Sequence, residues 1–584
     1  MIDKNAFLNA LEQAYEDTVG EKRHANELAI GTFTMEENPA LATFLIDQVV
    51  TRKGKLDTRQ QFLKRFQVPL KKPTPPARSP EHQHLYSKKS LRGQDRFNFE
   101  EMEIGYQIAL QAFEKKQDDF ERRAVTHEAI THHYAQDQEG YLQYIRNAMG
   151  ESQTAFFGRT RTLYLPEKHR ARNAYVVGRV GVGKSETLKT LMHHNIKNNS
   201  AAVVMLDPHS DLALEVGHLK ELRENGRLVY IDPGLSPHHT PAMNPFEIED
   251  RTPAGINYAT KQLYNVFKEL LLDSSGIFTN QMETLLKRCV KTLLTRGDVS
   301  ILDLLRFMDD NQNGEYVKFA LENLETENER EYFTRDFKQT RLTQTKDGIR
   351  SKLNSLITDR TFGLFLTKPA TFDLQAEMEK KSVIVFNLAD DESGILGKFI
   401  LARIKNIALS RKRTPKSKRV PAFVYVDEAH LFLTPAVTET LRQARKFCVS
   451  IFAASQAYGQ DMNGALREAI TVNTNIKMTS RNSDKSNTAF AADTKTPKKE
   501  LETLAGGEFM VKIDPVSPKE IEIPGIRVHP PETLLGFKHA MSREEWNQEI
   551  KRQLELYYVP LAKASLPEPS KPSDKRRTAG KIDL

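Results

Sequence analysis

The sequence contains two cysteines, Cys289 and Cys448, in 584 residues. That leaves no material for a disulfide framework or a cysteine-based zinc site, and a reducing compartment is the simpler setting. No apolar run approaches the ~18–20 residues a spanning helix needs. The best candidate, Phe447 to Ala454, is short and contains Ser450. Residues 1–30 carry Asp3, Glu12, Glu16, Asp17 and Glu21 and hold no apolar core of a secretory signal. These absences predict a cytoplasmic protein with no intrinsic membrane span, peripheral to the inner membrane only through partners. A strong charge of one sign is also missing. Lys and Arg number 85 against 77 Asp and Glu, a net charge of +8, which is compatible with a nucleic-acid partner without proving one. The hydrophobic fraction of 39% is close to that of globular proteins, so wholesale disorder is excluded. The length predicts about three or four domains.

Residues 1–70 read as a helical region, with Phe7, Leu8, Leu11, Ala14 and Tyr15 at helical spacing. Residues 71–96 hold Pro73, Pro75, Pro76 and Pro80 among cations and polar residues and read as a linker. Residues 97–155 return to helical patterning, with Phe99, Met102, Tyr106, Leu110 and Phe113 on one face. Short apolar runs then alternate with helical segments, which predicts an α/β domain built on buried parallel strands. Its first part spans 156–251 and its second 376–535. Between them, 252–375 is helical throughout and reads as an all-α insertion. Residues 536–584 read as a C-terminal helix and a basic tail.

Gly178-Arg179-Val180-Gly181-Val182-Gly183-Lys184-Ser185 fits the phosphate-loop pattern, with an apolar run before it and a helix opening at Glu186 after it. Gly178, Gly181, Val182 and Gly183 let backbone N–H groups curl around an anion, and the helix N-terminus adds partial positive charge. Lys184 is placed to reach the β- and γ-phosphates of ATP, and Ser185 to ligate Mg²⁺. Phe423 to Glu428 is an apolar strand ending in two carboxylates. Asp427 suits the Mg²⁺ shell and Glu428 the base that deprotonates the attacking water. Gln456 ends the next apolar run and is a candidate for the γ-phosphate or that water. Arg442, Arg445 and Lys446 are read on a helix between those strands, pairing either with surface acids or with a neighbouring subunit's phosphate. Arg411, Lys412, Arg413, Lys416, Lys418 and Arg419 form a run without an acid, either a solvated turn or a loop that neutralises a nucleic-acid backbone. Asp207-Pro208 and Asp232-Pro233 are turn signals.

Taken in order, GRVGVGKS (178–185), LDPHSDL (206–212), YIDP with NPF (230–233 and 244–246), TKDGIRSKLNSLI leading into VIVFNLAD (345–357 and 383–390), VYVDEAH (424–430) and RKFCVSIFAASQ (445–456) resemble the HerA–FtsK class of hexameric pumps. Within it they are most similar to the type IV coupling proteins of bacterial conjugation. The resemblance covers roughly 160–530. It implies a RecA-like core closed into a homo-hexameric ring with DNA in the channel. It also implies that Arg445 reaches the neighbouring subunit's ATP, with Arg442 or Arg481 as alternatives, and that Asp207 lies near the nucleotide. The paired N-terminal transmembrane helices usual in coupling proteins are missing from the pattern. Residues 1–150 are expected to form a separable module that docks type IV secretion or DNA-processing proteins. The leading expectation is an ATP-hydrolysing motor that translocates DNA. The alternatives are a secretion-machinery ATPase that never grips DNA and a nucleotide-switched scaffold.

Overall fold

The computed structural model describes residues 4–20, 27–50, 57–58, 104–114, 124–125, 156–248, 250–271, 278–391, 394–432, 443–456, 458, 464–531 and 539–561. The linker read at 71–96 and the basic tail lie outside the described residues. The chain divides into two units, one of Met1–Thr187, Gln456–Gln460 and Thr474–Glu532, the other of Leu188–Ser455, Asp461–Asn473 and Thr533–Leu584. No helix among the described residues is long and apolar enough to cross a membrane.

In the first unit, helix α1 (Lys4–Thr18) is followed by strand β1 (Leu28–Phe33) and helix α2 (Pro39–Val50). β1 pairs antiparallel with β2 (Arg161–Leu165). Four further strands run in the order β11 (Ile526–Val528), β10 (Phe509–Ile513), β9 (Thr474–Thr479), β3 (Asn173–Val177). β3 and β9 are parallel, while β10 and β11 are antiparallel additions. Thr32 and His529 exchange backbone hydrogen bonds, tying β1 to the residue after β11. Asn38 repeats the tie, its side chain donating to the Arg527 carbonyl and accepting from its N–H. Arg161, its side chain fully buried, donates to Glu12 at 2.8 Å and lies over the Tyr15 and Phe156 rings.

These contacts correct two expectations. The region 1–70 is not purely helical, because β1 interrupts it, and residues 4–20 and 27–50 are built into this unit and not into a separable adaptor. The physical reason is that β1 finds its partners far along the chain, at Arg161–Leu165 and His529, where local periodicity carries no information.

The second unit holds five parallel strands in the order β8 (Val449–Ser455), β7 (Ala422–Val426), β4 (Ala202–Asp207), β6 (Val383–Asn387), β5 (Leu228–Ile231). Every residue of these strands is buried, which is why each reads as a continuous apolar run. Helix α3 (Lys184–Asn198) begins in the first unit and continues into this one. Between β5 and β6, helices fill most of 253–379, among them α4 (Pro253–Leu271), α5 (Asn280–Arg296) and α6 (Thr340–Thr358). Their ends follow local chemistry. Thr279 caps α5 by accepting from Met282 N, and Gly297 ends it at a φ of 70°. Ser300 with Asp303 and Thr326 with Glu329 form capping boxes on two of the short helices that follow, Ile301–Phe307 and Glu327–Glu331. Phe307 stacks on Tyr316 and Phe333 beneath these helices. Helix α7 (Ile395–Ser410) follows β6, and helix α8 (Arg543–Tyr557) leads into a short strand, Val559–Pro560, that pairs antiparallel with His239–Thr240.

The outer edge of β5 is sealed by side chains. Gln553 of α8 accepts from Tyr230 N and donates to the Leu228 carbonyl, each at 2.9 Å. The Tyr558 hydroxyl donates to the Tyr230 carbonyl at 3.0 Å and accepts from Asp232 N at 2.8 Å. Trp546, the single tryptophan, stacks on His218 at 4.0 Å and meets Tyr230 edge-on at 5.3 Å. Gln553→Leu leaves a buried donor and a buried acceptor unpaired, so it is expected to destabilise this unit by about 1–3 kcal/mol. Urea unfolding followed by Trp546 fluorescence measures the loss.

Candidate functional site

The phosphate loop runs from β3 to α3 within the first unit. Gly181 and Gly183 take φ values of 79° and 95°, a region that strains any L side chain. Gly178 is needed for a different reason, since a Cβ there would meet Val182 Cγ2 at 2.5 Å. β9 braces the loop from below: Ser480 N donates to the Val177 carbonyl at 3.0 Å, and Arg179 N to the Arg481 carbonyl at 3.2 Å. Lys184 is buried, with Nζ 3.3 Å from the Arg179 carbonyl. Thr187 fastens the first turn of α3 by donating twice to the Gly183 carbonyl, from N at 2.9 Å and from Oγ1 at 3.0 Å. Ser185 is half-buried and Glu186 exposed in that turn. The fifteen-residue length of α3 gives its N-terminus the anion-favouring end of a full helix dipole.

In the second unit the later turns of α3 rest on β7. Asn195 donates to the Tyr425 hydroxyl at 2.7 Å, and that hydroxyl donates to the Leu191 carbonyl at 3.0 Å. β7 is thus the strand that this helix covers, and it ends in Asp427 and Glu428, which are 6% and 7% exposed. Asp427 N donates to the Leu206 carbonyl at 3.1 Å, continuing the ladder to β4. Asp427 Oδ1 accepts from Glu428 N at 2.9 Å. Glu428 adopts a left-handed φ of 42° and opens a 3-10 turn, Ala429–Leu431. A non-glycine residue in that region costs energy and is found where the surroundings enforce it.

The ends of the neighbouring strands are also polar and buried. Asp207 ends β4 and is 1% exposed; its oxygens accept from His209 N at 2.9 Å and Ala213 N at 2.8 Å. Burial raises its pKa above the usual carboxylate range, and the charge of Asp427 adds to that. Asn387, at the end of β6 and not singled out by its sequence, donates to Ser210 Oγ at 3.0 Å and Asp232 Oδ2 at 2.9 Å. Its only signal was the polar NLAD step closing an apolar run.

Two placements refine the sequence reading. Arg445 and Lys446 sit in a 3-10 turn, Arg445–Phe447, that continues helical Gln443 and Ala444 and leads into β8 through a left-handed Cys448. Arg442 lies outside the described residues. β8 then runs seven residues, so Arg445 precedes the strand and Gln456 follows it in the chain. Gln456 follows β8 directly and is half-buried. The cation run also divides. Arg411 is 4% exposed and donates to the Val420 carbonyl at 2.8 Å. Arg419 donates to the carbonyls of Thr414 at 2.8 Å and Lys446 at 2.9 Å. These two cations brace the turn before β7, whereas Lys412, Lys416 and Lys418 are exposed. The guanidinium's several donors suit such bracing better than an ammonium does.

Asp232 supplies a pH signature. Burial, followed by the nearby Asp390 charge, pushes its pKa from 3.8 to about 6. A raised carboxylate pKa contributes stability that is full below the unfolded value and lost as pH rises through the folded one. Asp232→Asn should remove that loss. The stability difference, wild type minus variant, should fall as pH rises from 3.8 to about 6, measured by urea unfolding across that range.

Helicase HerA, central domain, is the family that matches, over residues 167–404. Among solved structures, the bacterial conjugative coupling protein TrwBdeltaN70, in a trigonal form in complex with sulphate, is 16% identical with a TM-score of 0.48, covering 66% of this chain and 90% of that one. The plasmid coupling protein TrwB in complex with ADP and Mg²⁺ is 17% identical with a TM-score of 0.47, covering 66% and 90%. VirB4 of Thermoanaerobacter pseudethanolicus is 15% identical with a TM-score of 0.41, covering 64% and 90%. No curated protein matches. Asp427, Glu428, Arg445 and Gln456 lie beyond the matched family segment, while the phosphate loop, α3, strands β3 to β6 and the helical block all lie inside it. Over residues 167–404 the chain is therefore similar to the central domain of the HerA helicases, and it resembles the HerA/FtsK class of P-loop ATPases.

Proposed function

We propose that the protein is an ATP-hydrolysing motor that works as a homo-oligomeric ring, a hexamer by the family resemblance, and moves DNA in conjugative transfer or type IV secretion. The observation that carries this reading is the complete phosphate loop, with two left-handed glycines, at the head of a long helix laid on the strand that ends in Asp427 and Glu428. Backbone N–H groups from Gly178 to Ser185 and the Lys184 ammonium bind the phosphates of ATP. Glu186, in the same first turn, belongs to the nucleotide-contacting set. Ser185 and Asp427, a hydroxyl and a carboxylate, are the hard oxygen donors Mg²⁺ prefers; bound there, the ion would offset charge on the phosphate oxygens. Glu428 takes the proton of the attacking water as the water oxygen bonds to the γ-phosphorus. The bond to the β–γ bridging oxygen then breaks, and ADP keeps the electron pair. Gln456 orients the water. Arg445 acts from a neighbouring subunit, as the family resemblance implies.

Lys184→Ala is expected to abolish hydrolysis and weaken ATP binding, and Glu428→Gln to abolish hydrolysis while retaining ATP. Near-normal turnover in Glu428→Gln removes it as the base. Hydrolysis by the wild type with and without single- and double-stranded DNA, across a salt series, tests the partner. Replacing Lys412, Lys416 and Lys418 with Gln should flatten the log–log salt slope by roughly 0.7–0.9 per lost phosphate contact. The division of the cation run favours one second reading, a secretion ATPase that never grips DNA. Hydrolysis and binding indifferent to DNA would select it.

Arg445→Ala is expected to bind ATP and lose about 10³–10⁵ in rate. Mixed with Glu428→Gln, also inactive alone, it should regain part of the activity at concentrations that support assembly, because mixed boundaries pair an intact base with an intact arginine. No recovery in assembled mixtures means that the arginine acts in cis or that another cation, such as Arg442 or Arg481, serves instead.

A further inference from the structure

The turn that follows Glu428 is held at both ends. At its start, Asp427 is fixed by the Leu206 carbonyl and itself accepts from Glu428 N. At its end, the Phe432 ring lies against Gly397 of α7 so closely that a Cβ there would meet ring atoms at 2.3 Å. Gly397 N is in turn held by Asp391 Oδ2 at 3.0 Å. Within the turn, Leu431 N returns to the Glu428 carbonyl at 3.0 Å and Phe432 N to that of Ala429 at 3.0 Å. His430 is therefore carried on backbone with little freedom, and its Nδ1 lies 3.3 Å from Glu428 Oε2. That nitrogen is shut off from water and makes no hydrogen bond in its present orientation. A buried polar atom left in that condition is costly, and a small rotation of the ring would turn the contact into a bond. Glu428 itself is 7% exposed, so bulk water does little to fix the orientation of its carboxylate.

We propose that His430 is the positioning residue for the hydrolytic base. In the Nδ1–H tautomer it donates to Glu428 Oε2 and fixes the rotation of the carboxylate, leaving Oε1 as the oxygen that takes the water's proton. It touches neither nucleotide nor water. The inference rests on the reading of Glu428 as the base.

Steady-state hydrolysis of ATP by the full chain, together with the Kd of a fluorescent ATP analogue, tests it. His430→Ala should lower kcat by about 10–100-fold, the worth of one hydrogen bond to a charged group, with the analogue's Kd within about twofold of wild type. His430→Asn, whose carboxamide N–H takes the place of Nδ1–H, should recover most of kcat. The double variant His430→Ala with Glu428→Gln should be no slower than Glu428→Gln alone, because the histidine acts through that carboxylate. A kcat for His430→Ala within about twofold of wild type, while Glu428→Gln is inactive, overturns the inference and leaves the base in place. His430→Asn as slow as His430→Ala, with unfolding midpoints like that of the wild type, overturns it as well. Normal turnover by Glu428→Gln, or none by the wild type, overturns the base and the inference together.

Discussion

A parallel strand at the margin of a sheet must have both its edges satisfied, because no water reaches the buried one. β5 meets this requirement without another strand. Gln553 and Tyr558 occupy the places a ladder partner would take, bonding Leu228, Tyr230 and Asp232 in turn. Unpaired edges invite association with other chains, and side-chain sealing removes the template while adding no new edge. The arrangement makes the helix after the last strands as necessary to the second unit as any strand in its interior. The same logic governs the first unit, where antiparallel β10 and β11 extend the parallel pair and β1 reaches the residue after β11.

Sealing the margin lets the opposite feature of the sheet be polar. Asp427, Asp207 and Asn387 stand at the ends of adjacent strands, nearly out of water, and Asp232 follows the next strand. Each is held by backbone N–H groups or by an amide. Burial without such bonds would be prohibitive for charged groups. Backbone donors to Asp207 and Asp427 therefore do double service, taking the place of lost water around the carboxylates and fixing the turns that carry them. The left-handed Glu428 belongs to the same economy, since its strain is tolerated only because Asp427 and Phe432 fasten the flanks.

Much of this was legible in the sequence because the relevant signals are local. The five parallel strands are buried on both faces and so announce themselves as apolar runs, and the phosphate loop combines glycine spacing with its strand and helix. The helical block was legible as an unbroken helical stretch between two α/β parts. β1 and β2 are short antiparallel strands with mixed patterns, and β1 contains Gly31, whose Cβ would lie 2.6 Å from the His529 carbonyl. Only the fold brings that carbonyl near. Arg411 and Arg419 were illegible for another reason: composition gives the charge of a guanidinium but not the carbonyls it will meet. The abrupt passage from the Arg445 turn into β8 was illegible too, because it depends on Cys448 taking a left-handed conformation at a φ of 61°.

The helical block between β5 and β6 is clasped where it leaves and returns. Ala242 N donates to Thr371 Oγ1, and Thr371 N to the Ala242 carbonyl, across 129 residues of chain. Met243 N donates to the Phe365 carbonyl beside them at 2.8 Å. Once the helices have assembled through their own nearby contacts, β5 and β6 are separated by a short tether and not by the whole intervening chain. Shrinking an open loop of that length about tenfold lowers the entropy of closing it by about 2 kcal/mol. Pairing of parallel strands remote in sequence is ordinarily the slow step of such a fold. The clasp hands that step to rapid local helix formation, so the order of folding is written into the place where the block was inserted.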